Sequence, residues 1–424
     1  MNNDMNNDMN NDMNNDMNND KKQQILKRCN ALRIDDLINF INEGIVTLEE
    51  LQKAGLNTVR ENAIKQRIKA EEEAEEAEQR KEQMIEKYNE IVEELRKDAN
   101  AYSALELQEM VENSVITWSD IAKALGEDKQ RAIQDFVVST HLPNCQPPHS
   151  LQPNSTEVYF WGTPSSGKTC VLGATISSSQ YSGILEMLQC SGYDYMTRLS
   201  NIFSSEGICT LPENTHYGNI YEMVLNLTDH KKRKHKLTLI DLGGELFRYV
   251  YFKQNRYFLD QEQKDTLTKA ISYLKDTRNE KIHFFVVEYG AHNKEWESLS
   301  MLNYLDCMAT FLKEERVFKK STVGVYILVT KCDRILCEEG KRAEEAYNYV
   351  KDKMPSFYNN LEATCKDAGI SDFKVISFSV GEVFAQNFCQ FNDEDTNKII
   401  NKLVTKTYAE SNSWWAKLFR ILRG

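Results

Sequence analysis

Glu157-Val158-Tyr159-Phe160-Trp161-Gly162-Thr163-Pro164-Ser165-Ser166-Gly167-Lys168-Thr169 decides the fold of the larger part of this chain. Its first five residues are mostly β-branched or aromatic and read as a buried strand. The strand runs directly into a Gly-x-x-x-x-Gly-Lys-Thr loop, and a helix is expected to follow from Cys170 to about Ser178. The physics of such a loop is phosphate binding. Glycines let the backbone wrap an anionic chain, the amide N–H groups point inward, and the helix N-terminus adds positive potential. Gly162, Thr163, Pro164, Ser165, Ser166, Gly167, Lys168, Thr169 and Cys170 are therefore candidate nucleotide contacts. Lys168 can reach the β- and γ-phosphates, and the Thr169 hydroxyl can ligate Mg2+.

Working outward, two more apolar runs end in residues that carry chemistry. Lys236-Leu237-Thr238-Leu239-Ile240 leads into Asp241-Leu242-Gly243-Gly244-Glu245, a strand ending in Asp-x-x-Gly. An Asp at that position can hold Mg2+ through water, and the Gly244 amide can sense a γ-phosphate. Thr322 to Val329 reads as another buried strand and ends in Thr330-Lys331-Cys332-Asp333. Further strands are expected from Ile282 to Val287 and from Phe373 to Phe378, the latter entering Ser379-Val380-Gly381. Strands alternating with helical stretches predict an α/β P-loop nucleotide-binding domain over 156–410, with a mostly parallel sheet flanked by helices.

Thr330, Lys331 and Asp333 match the threonine form of the [NT]KxD motif, and here the chain resembles the small Ras/Arf-like GTPases. The resemblance implies that the Asp333 carboxylate accepts two hydrogen bonds from the guanine edge while the Lys331 stem lies along the base. Adenine offers no such donor pair, so GTP and GDP are the implied nucleotides, with Mg2+ as the metal. Asp-Leu-Gly-Gly is close to the Arf-like form of Asp-x-x-Gly. The loop at Ser379 and Val380 falls where the family places its last base contact. Mg2+ would be held by Thr169, by Asp241 through water, and by a switch threonine, for which Thr215 fits best by spacing and Thr210 is the alternative. Lys168, Thr215 and Glu245 are then the residues expected to act in catalysis.

Three departures from the family pattern bear on function. Glu245 stands where Ras-like proteins carry a water-orienting Gln. Pro164 fills a loop position usually held by something smaller. From Thr169 to the strand near Ile220 there are about 50 residues, more than in the small GTPases, with an extra helix expected from Tyr193 to Ser204. The long insertion and Gly-Gly-Glu look most like bacterial GTPases of multi-component conflict or signalling systems. The resemblance implies a GTP-binding switch with slow or partner-stimulated hydrolysis. A non-hydrolysing nucleotide-dependent scaffold and a P-loop ATPase remain the rival readings.

The N-terminal third is different in kind. Residues 1–20 are repeated Met-Asn-Asn-Asp, whose residues favour turns and cannot build a core, and are expected to be disordered. Leu37 to Leu51 aligns with Leu107 to Ile121, which predicts two helical hairpins, over 21–60 and 101–140, forming an all-α adaptor. Thr47 and Thr117 suit helix N-caps, with Glu50 completing a capping box. Between them, 61–100 reads as an acidic helical spacer in which Met84, Tyr88, Ile91 and Leu95 repeat at heptad spacing. Residues 141–155 form a linker, of which 141–149 holds three of the seven prolines.

The formal net charge of -12 and the lack of a basic recognition helix argue against nucleic acid, so protein partners are expected at the helical repeats. Ten cysteines without paired spacing suit reduced thiols in a cytoplasmic setting. No run is long and apolar enough to span a membrane. The tail 411–424 places Trp414, Trp415, Leu418, Phe419 and Leu422 on one helical face and Lys417, Arg420 and Arg423 on the other. That pattern suits either peripheral membrane contact or docking on protein.

Overall fold

The computed structural model describes residues 19–138, 148–204, 207–212, 220–338 and 340–407. The expected disorder of 1–20 falls almost entirely outside the described residues, as do much of the linker, Thr215 and the amphipathic tail. The chain divides into two units, 1–93 and 94–424.

The first unit is helical: α1 (19–27), α2 (Ile34–Asn42), α3 (Leu48–Lys53) and most of α4 (Thr58–Lys97). Ile25, Leu37, Ile38, Val46, Leu51 and Ile64 are buried together as its core. The α3 start is fixed by Thr47, whose Oγ1 accepts from the Glu50 N–H at 3.2 Å while the Glu50 carboxylate accepts from the Thr47 N–H at 3.0 Å. Such reciprocal capping satisfies backbone donors that the first turn would otherwise leave open, each cap being worth about 1 kcal/mol. The middle of α4 is solvated and carries surface ion pairs such as Arg80–Glu76. Met84 is exposed on this helix, whereas Ile91 and Leu95 are buried.

The second unit opens with α5 (Ala104–Glu112), α6 (Trp118–Leu125) and α7 (Glu127–Gln134). Thr117 caps α6, and Asp120 completes a capping box there, as Glu50 does for α3. Then the pattern changes. In chain order follow β1 (Thr156–Trp161), α8 (Lys168–Tyr181), β2 (Leu185–Met187), α9 (Tyr193–Leu199), β3 (Ile208–Thr210), β4 (Ile220–Thr228), β5 (Lys234–Leu242), α10 (Leu246–Gln254), α11 (Gln261–Lys275) and β6 (Glu280–Glu288). After a small ribbon, β7 (Glu295–Trp296) and β8 (Leu299–Ser300), come α12 (Met301–Glu314), β9 (Thr322–Thr330), α13 (Arg342–Lys353), α14 (Pro355–Asp367) and β10 (Phe373–Ser377). A hairpin, β11 (Gly381–Phe384) with β12 (Phe388–Phe391), and α15 (Glu394–Lys406) close the described chain.

Seven strands form one sheet in the order β10-β9-β6-β1-β5-β4-β2. Five are parallel; β4 runs antiparallel to β5, and β2 antiparallel to β4. The fold is thus α/β, a mostly parallel sheet with helices, preceded by a helical region. Every residue of β1 is buried, as expected for a central parallel strand covered on both faces. Alternation splits its side chains. Tyr159 and Trp161 join the core on the face of α10, α11, α12 and α14, and Val158 and Phe160 join the core under α8, α9 and α15. Burying aromatic and aliphatic side chains of this size stabilises by about 1.5–3 kcal/mol each.

A second sheet, order β11-β12-β3, is antiparallel and joins distant parts of the chain. Its hairpin turn is also where the helices of this unit attach. The Ala104 N–H donates to the Ala385 carbonyl at 3.0 Å, and the Ala385 N–H to that of Ala99 at 2.7 Å. Asn100 Nδ2 donates to the Val383 carbonyl at 2.8 Å. Phe136 packs edge-on against Phe388, with ring centroids 5.3 Å apart.

Candidate nucleotide-binding site

Because β1, β5, β6, β9 and β10 are parallel or in register with one another, the loops that leave their carboxyl ends share one edge of the sheet. Such an edge is where open α/β sheets place ligands. Four of those loops are the ones singled out in the sequence: 162–169, 241–245, 330–333 and 379–381.

The first loop turns on residues with unusual backbone. Gly167 has φ 90° and Ser165 φ 61°. The helix α8 begins directly at Lys168, so its first amides face the loop. Lys168 Nζ donates to the Gly162 carbonyl at 2.7 Å and to that of Thr163 at 3.3 Å. Gly162 cannot be larger: an added Cβ would lie 2.5 Å from Ser166 Oγ and 2.7 Å from the Val286 carbonyl.

Asp241, at the end of β5, is fully buried and sits within electrostatic range of Lys168 and Glu245. Burial pushes its carboxyl up to about 6, against the pull of the Lys168 ammonium and a hydrogen bond from Tyr195. Burial also lowers Lys168 from its ordinary value, with Asp241 and Glu245 opposing that shift. Asp241 Oδ1, Glu245 Oε2 and Ser166 Oγ are buried with no hydrogen-bond partner. Buried oxygens of this kind are ordinarily satisfied. Three of them near one lysine make a cluster chemically suited to a hydrated divalent cation and a phosphate chain. The residues present therefore fit Mg2+, with Asp241 and Thr169 as the residues that would hold it.

The Asp-x-x-Gly loop touches the phosphate loop directly. A Cβ on Gly244 would lie 2.5 Å from the Pro164 nitrogen and 2.6 Å from its Cδ. Pro164 thus occupies the surface against which Gly244 closes, a contact that the sequence reading did not anticipate.

The third and fourth loops meet as well. Thr330 Oγ1 donates to the Ser166 carbonyl at 2.6 Å, tying the β9 end to the phosphate loop. Lys331 takes a left-handed backbone (φ 57°), a rare state for such a side chain and one that recurs at functional sites. Its ammonium pairs with Glu288 Oε1 at 2.8 Å. Ser379 Oγ donates to Asp333 Oδ1 at 2.9 Å, and the Ser379 N–H donates to Asp395 Oδ2 at 3.0 Å. Val380 is buried beside them. Cys170, just after Thr169, has its thiol pushed up to about 11 by burial.

Of the two switch-threonine candidates, Thr215 lies outside the described residues. Thr210 lies in β3 as the register partner of Phe388, with its side chain exposed. Three residues that build the site were not found in the sequence. Glu288 ends a buried strand and holds Lys331. Asp395 fastens Ser379 from α15, and Tyr195 reaches Asp241 from the insertion helix, which spans Tyr193–Leu199, shorter than expected. No sequence signal marks either of the last two.

No protein-family model matches the chain. Among solved structures it is similar to nucleolar GTP-binding protein 1 of Plasmodium falciparum, at 14% identity and a TM-score of 0.28, over 60% of this chain and 89% of that one. It is similar to a chain of the signal recognition particle receptor SRb-GTP/SRX complex from Chaetomium thermophilum, at 14% identity and a TM-score of 0.31, over 55% and 94% of the two chains. A mutation variant of SsGBP aligns at 11% identity and a TM-score of 0.25, over 59% and 56%. These likenesses are distant. Among the described residues, no helix is long and apolar enough to cross a membrane.

Proposed function

We propose that this chain binds GTP and GDP with Mg2+ and hydrolyses GTP slowly, as a switch whose state is passed to its helical region. The observation that carries this reading is the linkage Ser166–Thr330 together with Ser379–Asp333, which sets a carboxylate suited to guanine beside a loop suited to phosphate. In this reading the Asp333 carboxylate accepts from the guanine edge. The amides of Gly162, Thr163 and of Ser165 to Cys170 donate to the phosphates, Pro164 having no N–H to give. Lys168 exchanges its two carbonyl partners for the β- and γ-phosphate oxygens, a charge-assisted replacement that is stronger per bond.

Bound Mg2+ would draw charge from the β- and γ-phosphates, held by the Thr169 hydroxyl and by Asp241 through water, with Thr215 as the third candidate. The Gly244 amide donates to the γ-phosphate, which fixes the loop against Pro164. Glu245, buried at the start of α10, accepts a hydrogen bond from the attacking water. The water oxygen bonds to the γ-phosphorus, the bond to the β–γ bridging oxygen breaks, and phosphate leaves with the proton that the water gives up. Loss of that phosphate would free the 241–245 loop, and in this reading the helical region responds to the change. Protein partners would engage the helical repeats, and the tail would add membrane or protein contact.

A second reading, binding without turnover, draws on Glu245. A carboxylate beside a γ-phosphate is repelled where a neutral amide is not. Single-turnover phosphate release from bound GTP, compared between the wild type and Glu245→Gln, separates the two. Hydrolysis by the wild type that Glu245→Gln changes by tenfold or more supports the enzyme. GTP that stays intact in both supports the scaffold.

A further inference from the structure

Tyr195 lies on α9, within the insertion between α8 and β4, and is buried. Its hydroxyl donates to Asp241 Oδ2 at 2.9 Å and is in hydrogen-bonding reach of the Thr169 side chain. Those are the two described residues to which the proposed function gives Mg2+. The other oxygen of that carboxylate, Oδ1, is buried without a hydrogen-bond partner among the described residues.

The hydroxyl is held where it is by its surroundings. The Tyr195 ring stacks on that of Tyr221, centroids 4.0 Å apart and planes 20° from parallel. Tyr221 is in turn the register partner of Asp241 across β4 and β5. Ring, strand and carboxylate thus form one packed unit. The helix that carries Tyr195 is pinned at its start, where the Gly192 N–H donates to the Glu222 carbonyl at 3.0 Å and a side chain at Gly192 would collide with that carbonyl. With Oδ2 occupied by Tyr195, the partnerless oxygen of Asp241 is Oδ1. A carboxylate fixed at one oxygen presents the other in a single direction, which is what a water-mediated metal contact needs.

We infer that Tyr195 is a positioning residue that holds Asp241 in the geometry for Mg2+, so that the insertion helix sets the metal affinity of the nucleotide site. This rests on the proposed function. It adds a role for the long insertion: any partner that moved α9 would loosen the metal without touching the nucleotide.

The test uses the full chain with a fluorescent GTP analogue, titrated with Mg2+ and also measured in EDTA. Tyr195→Phe keeps the stacked ring and removes only the hydroxyl. The half-saturating Mg2+ concentration should rise about tenfold, the low end for loss of a residue that orients a metal ligand. Affinity in EDTA should change by much less. In the double variant with Asp241→Asn, the loss should not exceed that of Asp241→Asn alone, since Tyr195 acts through Asp241. A Tyr195→Phe titration that overlays the wild type, or losses that add in the double variant, would overturn the inference while the wild-type Mg2+ dependence keeps the proposed function standing. A wild type whose nucleotide binding ignores Mg2+ overturns both.

Discussion

Ser379 donates its hydroxyl to the carboxylate of Asp333, the residue to which the proposed function gives base recognition, and is itself fastened by Asp395. The loop after β10 therefore orients Asp333 from outside its own strand. Ser379→Ala should leave one Asp333 oxygen less fixed and weaken guanine-nucleotide affinity by about tenfold, the low end for a hydrogen bond to a charged group, which is worth about 1.5–3 kcal/mol. The order of preference among nucleotides should not change. Asp333→Asn should change it, favouring xanthine over guanine nucleotides. Competition binding with both variants checks the two outcomes together, and equal effects on GTP and ATP in Asp333→Asn would remove Asp333 from base recognition.

Gly244 has no room for a methyl group, since Pro164 lies against it. Gly244→Ala must push the phosphate loop or the 241–245 loop by several tenths of an ångström. Overpacking of this kind typically costs about 1–3 kcal/mol. Both thermal stability and GTP affinity should fall. Pro164→Gly in the same chain removes the ring atoms that an added methyl would strike and should restore part of each loss. Independent, additive effects in melting and binding experiments would show that the two residues do not meet.

Much of this site was legible from residues 162–169, 241–245 and 330–333 because each motif sits where an apolar run stops, and strand ends are set by local sequence. The strand spans came out close for the same reason: β6 and β10 begin or end within a few residues of the expected bounds. What was not legible depends on tertiary contact. Tyr195 sits on a short helix whose sequence carries no periodic signal, and its partner Asp241 is 46 positions away. Nothing in the sequence of the β11–β12 hairpin announces β3 as a neighbour or Ala104 and Asn100 as attachment points. Capping was the opposite case: Thr47 and Thr117 act within three residues, so the sequence held the whole interaction.

His283 gives the fold a pH dependence that can be isolated. It is buried in β6 and accepts from Trp161 Nε1 at 3.0 Å, and burial, with Lys281 beyond it, lowers the imidazole to about 3. The unfolded chain binds that proton near pH 6.5, so between pH 6.5 and 3 the unfolded state holds more protons and stability is lost as pH falls, by up to about 1.4 kcal/mol per pH unit. Asp241, raised by burial, works in the opposite sense below about 6. Comparing the wild type with His283→Gln removes that offset. Denaturant melts at pH 7.5 and 5.5 should show the wild type losing more stability than the variant over this step. Equal losses would mean that His283 is protonated in the folded protein.

The most direct test of the central claim is competition of GDP, GTP and ATP for a fluorescent guanine nucleotide bound to the full chain with Mg2+, with Lys168→Ala as the control. GTP and GDP should displace it at concentrations at least about a hundredfold below those needed for ATP, and Lys168→Ala should show no measurable binding. Equal displacement by ATP would contradict that claim, and Asp333, Ser379 and Thr330 would then be parts of an adenine-tolerant P-loop site.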